Sequence, residues 1–102
     1  MREDFKDVYK LFVETWGEDT QADMCIEEMS ELTKELCKNR RIEKGFIVDA
    51  EKKKQENLEH VREEIADVLN MVEQMEYIFG VDEIEKIREQ KMKRTKAFII
   101  KE

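Results

Sequence analysis

No proline interrupts these 102 residues, and the only glycines stand at positions 17, 45 and 80. A chain so poor in breakers has few places to turn. Between the glycines, apolar residues recur at helical spacing. Before Gly17, Phe5, Val8, Tyr9, Phe12 and Trp16 predict a helix over about 4–16, with Asp4 as its N-cap. "GEDTQ" reads as a break rich in capping residues. A second helix is predicted from about 20 to 40 on Cys25, Met29, Leu32 and Leu36. "RRIEKGFIVDA" reads as a loop. A third helix is predicted from about 50 to 79 on Leu58, Val61, Ile65, Val68, Val72 and Met75. Its first two turns, "AEKKKQEN", lack an apolar stripe and are expected to project or fray. Gly80 ends it, and Asp82 is placed to cap a fourth helix running to about 95 on Ile84 and Ile87.

The expected fold is therefore all-α, a four-helix bundle forming one domain over 1–102. Charged residues make up 44% of the chain and hydrophobic ones 40%, which suits helices with one buried stripe and one solvated face. The apolar share is modest and the first helix short. A second subunit is expected to complete the core, as a homodimer or a dimer of dimers.

Charge and cysteines narrow the setting. A net charge of −7 argues against nucleic acid as a partner. Cys25 and Cys37 on one helix would lie roughly 18 Å apart, too far to bond. Two reduced thiols point to a cytoplasmic protein. No signal peptide is read, and no apolar run nears the ~20 residues that span a membrane, so no membrane partner is expected.

The acids carry the chemistry. In "CIEEMSELTKEL", with about 100° per residue and Glu28 at zero, the apolar stripe centres at about 70–80° and Glu31 falls at about −60°. Glu64 and Asp67 take the same places against the stripe of the third helix. Each helix reads Glu-Glu-apolar-small-acid-apolar: "EEMSEL" and "EEIADV". If the stripes pack, Glu28, Glu31, Glu64 and Asp67 meet at one rim. Four carboxylates held together repel unless a cation neutralises them. An all-oxygen site suits Mg²⁺, with Mn²⁺ as a substitute, and such a site takes phosphate oxygens as further ligands. The plainer alternative is a pair of solvated amphipathic helices.

The two acid motifs, Glu27-Glu28-Met29-Ser30-Glu31 and Glu64-Ile65-Ala66-Asp67, resemble those of the MazG-like all-α nucleoside triphosphate pyrophosphohydrolases. "TWGEDTQADMCIEEMSEL" and "EEIADVLNMVEQM" extend the resemblance over about residues 10 to 95. It implies a MazG-like bundle and an enzyme that cleaves a nucleoside triphosphate to monophosphate and pyrophosphate, as in nucleotide-pool housecleaning. By motif position, Glu28, Glu31, Glu64 and Asp67 would hold Mg²⁺, and Glu31 would orient or deprotonate the attacking water. Lys34, Lys91 and Arg94 are the expected phosphate contacts. Asn70 would reach the substrate or face solvent. Trp16 would stack on the base or close the core.

Two other readings compete. Di-iron bundles use Glu-x-x-His pairs, but this chain has one histidine, His60, preceded at 57 by asparagine. A non-catalytic acidic helical dimer, acting as an interaction or regulatory module, requires only that the acids scatter into solvent.

Overall fold

The computed structural model describes residues 2–100. It is all-helical among these: a 3-10 turn at Glu3–Phe5, then α1 (Lys6–Trp16), α2 (Glu18–Glu43), α3 (Ala50–Phe79) and α4 (Val81–Ile99). The expected tail beyond Ile100 lies outside the described residues.

The glycines do most of the punctuation. Gly17, at φ +87°, ends α1 with its N–H on the Val13 carbonyl, and α2 starts on the next residue. Asp19 and Thr20 are thus helical rather than part of a break, because Glu18 and Asp19 suit the positive end of the helix dipole. At the other end α2 runs three residues past the expected limit, with Arg40 and Arg41 in its last turn. It closes with the Phe46 N–H on the Arg41 carbonyl, around Gly45 at φ +78°. Asp4 makes no cap for α1; its carboxylate instead takes hydrogen bonds from the Arg2 guanidinium. Asp82 lies inside the first turn of α4.

The α2–α3 pair is an antiparallel hairpin, and its rungs fix the register. Next to the turn, Lys54 meets Glu43 at 3.5 Å. Asn39 then donates to Asn57 at 3.0 Å, and His60 approaches Glu35 at 3.9 Å. Among the buried and half-buried positions of α2, one set is spaced alternately four and three apart: Gln21, Cys25, Glu28, Leu32, Glu35, Asn39 and Ile42. The matching set on α3 is Asn57, Val61, Glu64, Val68, Met71, Met75 and Ile78, with Gln74 and Glu76 buried beside it. That is the repeat of a coiled-coil seam.

This seam differs from the predicted one. The apolar stripes centre about 50° to one side of it, by helical geometry. Met29 and Leu36 on α2, with Leu58, Ile65 and Val72 on α3, are expected core residues that remain exposed. The expected Cys25, Leu32, Val61, Val68 and Met75 do lie on the seam, and acids and amides share it with them. The three largest fully buried side chains are Gln21, Gln74 and Asn57. Asn57 closes the first two turns of α3 and is buried, while residues 51–56 before it are helical and exposed. Asn57 donates to the Glu35 carbonyl and to Glu35 Oε2, both at 3.1 Å.

α1 covers one end of the hairpin. The buried Tyr9 donates its hydroxyl to Glu73 Oε2 at 2.6 Å. Trp16 does not close the core: it is 53% exposed, with its ring 5.3 Å from that of Phe12. α4 packs on α3 alone among the described elements, and Arg88 reaches Glu76 at 3.8 Å. The chain extends over 48 × 45 × 22 Å, with a radius of gyration of 17.4 Å. A compact domain of this length would have about 13 Å.

Candidate metal centre

Glu28 and Glu64 both stand on the seam, so pairing of α2 with α3 drives their carboxylates together. Asp67 lies one turn beyond Glu64, just off the seam. Carboxylate oxygens of Glu28, Glu64 and Asp67 all fall within 4.8 Å of one another. Glu28 and Glu64 are half-buried and Asp67 is exposed, so the cluster opens to solvent beside Asp67.

The electrostatics are those of a group short of positive charge. Glu64 Oε2 is buried with no donor against it. Burial, then the charges of Asp67 and Glu64, raise the pKa of Glu28, whose carboxyl can hydrogen-bond to Glu64 only as the acid. The cluster thus favours the protonated form of Glu28 more than water does. Three carboxylates and no sulfur or nitrogen donor fit a hard divalent cation such as Mg²⁺ or Mn²⁺.

The sign of the resulting pH dependence follows. The folded state binds the Glu28 proton more tightly than the unfolded chain does. Its stabilising effect is complete below the ordinary value of 4.5 and is lost as pH rises through the raised folded value. Urea melts in EDTA should therefore show stability falling through that window, with a flatter slope in Glu28→Gln. Equal slopes would contradict a protonated Glu28.

The other expected site residues are dispersed. Glu31, one turn on from Glu28, is not in the cluster; its carboxylate pairs with Lys34 at 3.6 Å. Asn70 is exposed and lines a shallow hollow with Arg2, Phe5 and Glu73. Lys91 and Arg94 are exposed on α4, and among the described residues no ion pair links them to the acids. His60 is a neighbour of Glu35, not of the cluster.

What sequence reading missed is the polar lock beside the site, Asn39–Asn57–Glu35. Glu35 and Asn39 stand four apart on α2, but only the register of the hairpin brings Asn57 of α3 against them.

No family model matches the chain, and no curated protein or solved structure shows a significant likeness to it. The functional reading stands on the two motifs and on the geometry they make.

Proposed function

We propose that this protein is a Mg²⁺-dependent nucleoside triphosphate pyrophosphohydrolase of the MazG-like kind, cleaving a (d)NTP to (d)NMP and pyrophosphate in the cytoplasm. The observation that supports it is the convergence of Glu28, Glu64 and Asp67 within 4.8 Å. A scattered set of solvated acids would favour the interaction module instead.

In this reading Glu28, Glu64 and Asp67 hold the cation, and phosphate oxygens complete its shell. The bound metal supplies polarisation of the α-phosphate and a lowered pKa for the attacking water. Glu31 orients that water or takes its proton, which requires it to leave Lys34. Lys34, once released, is a cation one turn from the site for the phosphates. Lys91 and Arg94 add charge if α4 closes toward the acids. Asn70 and the exposed Trp16 are candidates for contacts to the sugar and base.

The test is a panel of canonical and modified (d)NTPs incubated with Mg²⁺ or EDTA, with the products separated. Monophosphate and pyrophosphate, absent in EDTA, are the expected result. No turnover on any nucleotide, with no Mg²⁺ effect on melting, would overturn the proposal and leave the acidic interaction module.

A further inference from the structure

The seam treats two of its α2 acids in opposite ways. Glu35 lies seven residues past Glu28 on α2, and Asn57 lies seven before Glu64 on α3. The two rungs are therefore equivalent places one repeat apart, roughly 10 Å along the hairpin. At one rung the acid is gripped. Glu35 Oε2 accepts from the Asn57 amide at 3.1 Å, and its Oε1 lies 3.9 Å from His60 Nδ1. The Asn57 amide also donates to the Glu35 carbonyl, and its oxygen accepts from Asn39. At the other rung Glu28 faces Glu64 and Asp67, and Glu64 Oε2 is buried with no donor against it.

Like charges at the second rung favour a parting or sliding of α2 against α3. Leu32 and Val61 lie between the rungs, and they do not resist sliding, because apolar burial has no preferred direction. A hydrogen bond does resist it, since its length and angle are narrowly set. On the far side of the cluster, Gln21 is fully buried, but its amide lies on the Met24 sulfur of its own helix at 3.8 Å. The axial place of Glu28 against Glu64 is therefore set from the Asn57 side. A small hard cation such as Mg²⁺ demands near-ideal ligand geometry, so a small slide at the cluster spoils the site.

We infer that Asn57, with Glu35 as its acceptor, is a positioning pair for the metal centre: it fixes the register that holds Glu28 and Glu64 ready for one cation. Buried polar residues on a coiled-coil seam act in this way on register. The inference rests on the metal-binding reading proposed above and adds to it two residues that touch no ligand. Loss of the pair therefore weakens cation binding in molecules that are still folded.

Mn²⁺ alone is the probe, titrated into EDTA-stripped protein and followed by the electron paramagnetic resonance of the free ion. Each variant is measured well below its melting temperature, where a loss of stability alone leaves affinity unchanged. Asn57→Ala should bind Mn²⁺ about 3–30-fold more weakly than the parent protein. Glu35→Gln keeps an acceptor for Asn57 and should stay within about threefold of the parent. Tyr9→Phe removes the bond to Glu73, away from the seam, and should bind as the parent does. Linkage gives a reading on the parent itself, since a lock that favours the cation is favoured by it. Mg²⁺ should slow hydrogen exchange of the Asn57 side-chain amide more than that of Gln74, which is comparably buried. Asn57→Ala binding as tightly as the parent, or Mg²⁺ slowing both amides alike, would overturn the inference and leave the metal site standing. So would losses of the same size in Glu35→Gln or Tyr9→Phe. A parent protein that binds no Mn²⁺ would overturn both. The exchange measurement decides the matter if Asn57→Ala fails to fold.

Discussion

Glu64→Gln should melt at a higher temperature than the parent protein in EDTA and at a lower one in Mg²⁺. Two opposite signs come from one atom. Without metal, Glu64 Oε2 is buried with no donor and crowds Glu28 and Asp67 within 4.8 Å. Replacing it by an amide removes one charge and adds a donor that Glu28 can use. With metal, the same change removes a ligand, and the stabilisation that cation binding gives the native state shrinks with affinity. Outer partners of metal ligands cost about 10–100-fold when lost, so a direct ligand should cost at least about 100-fold in Mg²⁺ affinity and in nucleotide turnover. Thermal melts at several Mg²⁺ concentrations read both signs at once. A variant destabilised in EDTA, or still responding to Mg²⁺ like the parent, would remove Glu64 from the metal centre. Glu31→Gln separates the roles: it should keep the Mg²⁺ response and lose turnover, because Glu31 stands outside the cluster and beside Lys34.

Asn57→Ala should carry the largest loss of stability among single changes on the seam, about 2–4 kcal/mol. Asn57 is fully buried and makes three hydrogen bonds, to Asn39, to the Glu35 carbonyl and to Glu35 Oε2. Truncation leaves all three partners without it in a part-buried site, and one of them is a carboxylate. Against a total of about 5–15 kcal/mol for a domain, that is a large share. Urea denaturation of Asn57→Ala, Asn39→Ala and the double variant measures it. The double variant should cost clearly less than the two singles added, because they share a bond. Strict additivity, or a loss below about 0.5 kcal/mol in Asn57→Ala, would mean that the lock is not formed in solution.

Much of this architecture is legible from the glycines. Gly80 marks the end of α3, and Gly45 stands in the link between α2 and α3. The meeting of Glu28, Glu64 and Asp67 is legible too, since the acids repeat in the same register on both helices. Two features were not legible. The hairpin seam is offset from the apolar stripe, with Asn57 bonded across it to Asn39 and Glu35, and that pairing depends on a register that one helix cannot reveal. Asn57 sits in "AEKKKQEN", a segment that reads as solvated, and only the facing Glu35 and Asn39 make its burial favourable. Trp16 shows the converse limit. Its spacing with Phe12 suits a core stripe, yet the exposed ring needs a neighbour that α1 does not supply.

The ladder of rungs also orders the events of folding. Contacts close in sequence cost least chain entropy to close, so a hairpin of helices zips from its turn. The first rung out of the turn, Glu43–Lys54, is attractive, and the next, Asn39–Asn57, is a hydrogen bond. The repulsive rung of Glu28 with Glu64 and Asp67 comes several turns later, after the register has been chosen. Asn57→Ala should therefore slow folding, whereas Glu64→Gln should act mainly on the unfolding rate in stopped-flow chevrons. The cluster that opposes the closed hairpin is kept out of its nucleus, so the chain can hold three acids together without hindering its own assembly.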